Sequence, residues 1–224
     1  LTRVESVSNG VLVENYSAGG KTLLSKSTIK NELPIYGGYF SGENNNYIVF
    51  GQNNKNENNS AEIIRIVKYS KNWSRISDCK IYGSNTTAPF NAGSLRMIEL
   101  DGKLYVYTCH EMYADSNNLN HQANMLFTVD ESTMKTTDSM YEVSNLQNGY
   151  VSHSFNQFIA TDGAYIYRVD HSESNEMTMQ GKYLSVNGIT LSKYSKSASS
   201  TNVAVTVPVK FDIHSGNYTC LLYT

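Results

Sequence analysis

The chain has 224 residues, a formal net charge of -2 and a charged fraction of only 17%. Its 18 Lys and Arg residues are spread along the length instead of forming a stripe, so we expect no nucleic-acid partner. No apolar run reaches the ~20 residues that a membrane-spanning helix needs, so we expect no membrane insertion. The 17 Tyr and the many Asn and Ser residues suit a solvated β surface and do not suit a coiled coil or a disordered chain.

Two kinds of predicted β-hairpin alternate along the chain after a short leader at residues 1–9. The first kind covers residues 11–29, 63–81, 125–140 and 189–205; the second covers residues 39–51, 95–109, 155–170 and 209–223. The clearest turn signals are Asp101-Gly102 and Asp162-Gly163, because Asp-Gly between two β-rich arms favours a tight hairpin. The intervening QNNKNENNS segment at residues 52–60 is predicted to be a solvated loop rather than a ligand-binding one.

The alternation has a period of roughly 55–65 residues, which is typical of four-stranded units in an array. We therefore predict an all-β fold, a β-propeller of four-stranded antiparallel blades. The predicted divisions are an outer half-blade at residues 1–36, blades at 37–91, 92–150 and 151–207, and an inner half-blade at 208–224. The two halves could close a four-bladed ring. We favour a larger ring, in which missing sequence, a second chain or a homo-oligomer completes the propeller.

The three cysteines lie far apart, and no CxxC or Cys/His zinc spacing is present. We expect Cys79, Cys109 and Cys220 to be buried free thiols that act as small hydrophobic side chains. No GxSxG elbow, P-loop, GxGxxG or HExxH motif occurs, so we assign no catalytic residue and no cofactor, and leave any metal open.

Four of the five histidines are predicted to lie at one end of the blades. Superposing the two Asp-Gly hairpins aligns His110 with His171 at the end of a second strand, while His121 and His153 precede a third and a first strand. In an up-and-down blade these positions share one end, and the Asp-Gly turns occupy the other. The candidate ligand-binding residues at this end are His110, Glu111, Tyr113, Asp115, His121, His153, Asn156, Asp170, His171 and Glu173.

Three roles are open for this His-rich face. The side chains could tie loops to neighbouring backbone, bind a polar ligand such as a glycan or peptide, or form a metal or acid/base site. A metal would have to be assembled across blades, because local ligand spacings are absent.

The segments LNHQANMLFTVDESTM and GYVSHSFNQFIATDGAYIYRVDH, within residues 119–171, carry a family resemblance. They resemble a group of secreted bacterial β-propeller proteins of unassigned activity, most specifically at residues 120–124 and 153–158. The resemblance implies a propeller that is secreted or attached to a bacterial cell surface, its signal peptide lying outside this chain. After His171 the chain reads SESNE, where such proteins continue with Gly-Asp and a Pro-Arg, so no ligand site is carried over.

We therefore expect a non-catalytic extracellular recognition module that binds a glycan or protein on the His-rich face. One alternative is a glycoside hydrolase or lyase that uses carboxylates of that face, such as Glu111, Asp115, Asp170 or Glu173. A second alternative is a structural subunit that another chain completes.

Overall fold

The computed structural model describes residues 1–91, 94–140, 149–161, 163, 165–179, 182–195 and 203–208. Side chains are described for residues 1–91, 94–137, 157–161, 163 and 166. All regular structure within these ranges is β-strand, and they contain no helix that is long and apolar enough to cross a membrane.

The strands form four antiparallel sheets, which follow one another along the chain. The first sheet contains β1 (Thr2–Val7), β2 (Gly10–Tyr16) and β3 (Leu23–Ile29). The second contains β4 (Ile35–Ser41), β5 (Asn45–Gly51), β6 (Glu62–Ser70) and β7 (Arg75–Tyr82). The third contains β8 (Ala88–Pro89), β9 (Arg96–Leu100), β10 (Lys103–Ala114), β11 (Asn120–Asp130) and β12 (Lys135–Met140). The fourth contains β13 (Gly149–Thr161), β14 (Tyr165–Met179), β15 (Lys182–Ser195) and β16 (Val203–Pro208).

Seven of the eight predicted hairpins are confirmed by paired neighbouring strands, and residues 209–223 lie outside the described residues. The leader predicted at residues 1–9 is wrong, because β1 pairs with β2 from Thr2 opposite Asn15 to Val7 opposite Gly10. Val4 explains why this segment folds, since its side chain packs against the apolar cluster between the first and second sheets.

Consecutive sheets pack face to face, which gives a propeller-like, all-β fold. The buried run in β5 shows how this is achieved, since successive residues of a strand point to opposite faces. Tyr47 and Val49 join the cluster shared with the third sheet, whereas Ile48 and Phe50 join the cluster shared with the first. A third cluster, which includes Tyr107 and the buried Ile166, joins the third sheet to the fourth.

The second and third sheets have two distinct ends. We call one the loop end; it carries the connections at residues 52–61, 83–87 and 115–119. We call the other the turn end; it carries the tight connections at residues 42–44, 71–74, 101–102 and 131–134. These two ends position the polar groups described below.

Candidate functional site

All four histidines lie inside strands, whereas we predicted His110 and His171 at the end of a strand and His121 and His153 just before one. His110 is in β10, His121 in β11, His153 in β13 and His171 in β14. The reason is that the strand ladders continue beyond the predicted ends: β14 alone runs for 15 residues. His110 and His121 nevertheless lie toward the loop end of the third sheet, away from the Asp101-Gly102 turn.

His110 is fully buried, so its imidazole is shielded from solvent. Its Nδ1 lies 2.7 Å from the hydroxyl oxygen of Thr86, a residue that is also buried. The same hydroxyl donates to the Met125 sulfur at 3.9 Å. His110 therefore links β10 to the segment that precedes β8. This contact matches the loop-tying role that the sequence left open for the histidines.

Glu111 and Tyr113 brace two connections of the loop end against β10. The Glu111 carboxylate accepts hydrogen bonds from the Thr87 hydroxyl at 3.0 Å and from the Asn91 side-chain amide at 2.9 Å. The Tyr113 hydroxyl accepts a hydrogen bond from the amide of Asn54 at 3.0 Å, and burial raises the pKa of this tyrosine.

Asn54 is the buried anchor of the Asn-rich loop, whose other residues are mostly exposed, as predicted. Only 5% of Asn54 is exposed. Its amide donates to the carbonyl oxygens of Asn58 at 3.1 Å and Thr86 at 3.2 Å, and its side-chain oxygen accepts the Asn58 N–H at 3.0 Å. The sequence did not distinguish this asparagine from its neighbours, because the difference lies in what the fold places around it.

Asp115 and His121 form a hydrogen-bonded pair at the rim of the loop end. Asp115 Oδ2 lies 3.0 Å from His121 Nε2, and both side chains are about a third exposed, at 32% and 31%. Asp115 Oδ1 accepts the backbone N–H groups of Asn117 at 2.8 Å and Leu119 at 3.0 Å. The bond from Leu119 and then the contact with His121 lower the pKa of Asp115 to about 2, so the carboxylate is ionised at neutral pH.

The other five candidate residues lie on β13 and β14. In backbone register His171 is opposite Phe155, and Asp170 pairs with Thr190 of the next strand. The remaining candidates, His153, Asn156 and Glu173, share these two strands, with Asn156 inside a register shift between Phe155 and Phe158. The side chains of all five candidates fall outside those that the structure describes, so their part in a site stays a prediction.

Among the described site residues, Asp115 has a lowered pKa and is therefore a carboxylate at neutral pH. Glycoside hydrolysis needs a second carboxyl whose pKa is raised so that it can donate a proton. Glu99 is a described carboxyl with a raised pKa, but it lies in β9 near the turn end, roughly 30 Å from Asp115 along the strands. Among the described residues, no three His, Cys, Asp or Glu side chains are grouped to hold a metal ion.

Sequence reasoning missed a pair of carboxyl groups at the turn end. Glu99 and Glu131 lie within hydrogen-bonding reach of each other beside a cavity of about 240 Å³. Glu99 precedes the Asp101-Gly102 turn and Glu131 opens the β11–β12 turn. The same-end argument that grouped the histidines could have found this pair, had it been applied to the opposite end.

The two described cysteines are buried free thiols, as predicted. Burial raises the pKa of Cys79 and of Cys109 to about 11, which makes them poor nucleophiles at neutral pH. Cys220 lies outside the described residues.

No family model and no curated protein matches this chain. Among solved structures, the GH43 protein BlXynB from Bacillus licheniformis is similar with 11% identity and a TM-score of 0.26. A mutant of the same protein gives 9% identity and a TM-score of 0.25. In both comparisons the similarity covers 77% of this chain and 41% of the other, so this chain spans less than half the length of these structures.

Proposed function

We propose that the protein is a non-catalytic extracellular recognition module whose loop end binds a glycan. The observation that supports this most directly is the Asp115–His121 pair, which presents a carboxylate and an imidazole at a partly exposed rim. The short loop holds both groups in place through hydrogen bonds to Asp115. Groups that are already ordered lose less conformational freedom when a ligand binds.

The surroundings of the pair suit sugar hydroxyls. Asn117, Asn118 and Asn120 are exposed beside it, and an amide side chain both donates and accepts hydrogen bonds, as a hydroxyl does. Leu119 is 56% exposed between them and offers an apolar surface to the C–H groups of a sugar ring. A protein ligand would need an interface of roughly 800 Å² on each partner, more than one hairpin tip provides, so we favour a glycan.

A bacterial source, a secreted or cell-surface location and completion of the propeller by a second chain or a homo-oligomer belong to the same proposal. They rest on the sequence resemblance and the repeat. Sedimentation of the purified chain tests the last of these: a mass of about 25 kDa at micromolar concentration would contradict self-association.

A glycan array followed by calorimetry on the best ligand tests the proposed site. Asp115→Asn keeps the shape of the side chain but removes its charge, and a lost hydrogen bond to a charged group is worth ~1.5–3 kcal/mol, which is about a tenfold to hundredfold fall in affinity. Asp101→Asn is the matched control, because Asp101 is also an exposed aspartate in a hairpin connection but lies at the turn end.

Binding that persists at full strength in both Asp115→Asn and His121→Ala would overturn the site. Absence of any glycan ligand, with a purified protein bound instead through this rim, would overturn the ligand class. Turnover of a bound glycan that Asp115→Asn abolishes would replace the proposal with the hydrolase alternative.

A further inference from the structure

Two carboxyl side chains join the second and third sheets at the turn end. Glu99, on β9, accepts the backbone N–H of Glu43 at 2.6 Å from the β4–β5 connection. Glu131, in the β11–β12 connection, accepts the hydroxyl of Tyr47 on β5 at 2.7 Å. The Glu131 carbonyl oxygen also accepts the Lys68 ammonium at 2.7 Å. Both carboxyl groups therefore belong to the third sheet and are held by donors of the second.

The Glu99 carboxyl sits tightly against the backbone of the second sheet. A Cβ atom added to Gly42 would overlap all three atoms of this carboxyl group. Glycine at position 42 thus permits an approach that a side chain would block. The Glu99 carboxyl is therefore closely packed in the interface between the two sheets.

The two carboxyl groups also face each other. Glu131 lies within hydrogen-bonding reach of Glu99, and burial together with this neighbour raises the pKa of Glu99 to about 7. Two carboxylates at such a separation repel strongly when both are ionised, so they favour a state in which they share one proton. Tyr47 remains a hydrogen-bond donor throughout, because burial and Glu131 raise the pKa of its hydroxyl far above neutrality.

The charged groups around the pair are unbalanced. Glu43 and Asp101 line the same cavity of about 240 Å³ as the pair, whose wall also includes Asn44 and Asn45. On the other side Lys68 bonds to the Glu131 carbonyl, and Lys71 bonds to the Gly42 carbonyl and acts to lower the pKa of Glu99. Full ionisation therefore places four carboxylates near two ammonium groups, and the cavity gives water access for the proton exchange.

We propose that Glu99 and Glu131 form a pH-sensitive latch that holds the second and third sheets together while they share a proton and loosens when both are ionised. The sign follows from the protonation of the folded state. A carboxyl that binds its proton more tightly when folded contributes stability that is complete below its ordinary pKa of 4.5 and is lost as the pH rises through about 7.

Thermal unfolding of the purified chain between pH 4.5 and pH 8.5 tests the latch. Glu99→Gln replaces the protonated carboxyl with an amide of the same shape that still donates to Glu131 and cannot ionise. We expect the melting temperature of the wild type to fall by about 3–6 °C across this range relative to Glu99→Gln. Glu43→Gln is the matched control, because it removes a carboxylate from the same cavity but keeps the backbone N–H that bonds to Glu99.

Two site-specific readouts accompany the melting curves. Carbon-detected NMR of the Glu side chains should show Glu99 titrating with an apparent pKa near 7 in the wild type and in Glu43→Gln. The Glu43 amide, once corrected for intrinsic exchange, should lose hydrogen-exchange protection as the pH rises in the wild type but not in Glu99→Gln. An unchanged pH dependence in Glu99→Gln, or a Glu99 carboxyl that titrates near 4.5, would overturn the latch.

Discussion

At the scale of single residues, the loop end depends on a few positions that similar neighbours cannot replace. Gly83 has a positive φ of 56° and donates its N–H to the Ala61 carbonyl at 2.9 Å, which fixes the segment after β7 against the Asn-rich loop. A Cβ at this position would lie 2.7 Å from both the Cα and the carbonyl oxygen of Asn59. Because these are backbone atoms, no change of rotamer relieves the clash.

Replacing Gly83 by Ala should therefore lower the free energy of unfolding by more than its backbone angle alone predicts. Gly102 has a similar φ of 71° but open space around its Cα, so Gly102→Ala should cost only the ~1–2 kcal/mol of a left-handed alanine. We expect Gly83→Ala to lower the free energy of unfolding by at least ~2 kcal/mol more, measured by urea denaturation. Equal losses in the two variants would contradict the close approach to Asn59.

Asn54 offers a second comparison between neighbours. Asn54→Ala leaves the Thr86 carbonyl and the Tyr113 hydroxyl without their shared donor, and a buried polar group that loses its partner costs ~1–3 kcal/mol. Asn53 is exposed, so Asn53→Ala should change the free energy of unfolding by less than ~0.5 kcal/mol. Urea denaturation with limited proteolysis of the loop measures both variants, and a harmless Asn54→Ala would show that the loop is not anchored there.

At the scale of elements, a Tyr-Ser pair recurs at the ends of two strands and closes the turn that follows each of them. Tyr16-Ser17 and Tyr69-Ser70 each lie at or beside the end of a strand, and the serine hydroxyl accepts an N–H from the connection that follows. Ser17 accepts from Thr22 at 3.3 Å, and Ser70 accepts from Ser74 at 3.1 Å. In the third sheet Asp130 performs the same task for the N–H groups of residues 132 and 133. The repeated pair therefore reflects how a hairpin turn is closed.

The loop at residues 115–119 should respond to acid through one carboxylate. The pKa of Asp115 is lowered to about 2, so the order that it gives the loop is complete above its ordinary pKa of 3.8 and is lost as the pH falls through about 2. We expect the Leu119 amide to lose its hydrogen-bonded chemical shift in NMR spectra over this range. Asp115→Asn should abolish that acid transition, whereas a transition centred near 3.8 in the wild type would contradict the hydrogen-bonded geometry.

At the scale of the whole molecule, stability comes from apolar clusters shared between consecutive sheets. The cluster between the second and third sheets includes fully buried residues from both, such as Ile66 and Phe127. Since each such cluster belongs to two sheets, a substitution that destabilises one sheet should also destabilise the other. This is the behaviour expected of repeat architectures, in which stability is a sum over units and their interfaces.

Phe127→Ala tests this sharing. Truncating a buried Phe typically costs ~3–5 kcal/mol, and here the cavity would lie between two sheets. Hydrogen exchange should therefore rise in β5 and β6 as well as in β10 and β11, with a smaller effect in β1–β3. Ile76→Ala is the control, because Ile76 is 52% exposed on β7. Increased exchange confined to the third sheet would contradict a shared core.

The strands could be predicted from the sequence because the signals that specify them come from residues adjacent in the chain. Asp101-Gly102 forms a turn with Asp101 at a φ of 52°, which Asp tolerates better than most residues, and the apolar run at residues 47–50 is buried on both faces. The error at residues 1–9 has a tertiary cause, because β1 alternates weakly and is held by its pairing with β2 and by the contact of Val4. The predicted strand ends were also misplaced, because hydrogen-bonded pairing between the strands continues past them and includes the histidines.

By itself, the sequence determined that the chain is all-β, that its hairpins alternate, and that turns and histidines lie toward opposite ends of the third sheet. Only the tertiary structure decided which of the polar side chains are buried anchors, such as His110 and Asn54, and which are presented at the rim, such as Asp115 and His121. It also decided that Glu99 and Glu131 meet. The physical reason is that burial and carboxyl pairing depend on atoms from distant segments, whereas turns and alternation are set by residues adjacent in the chain.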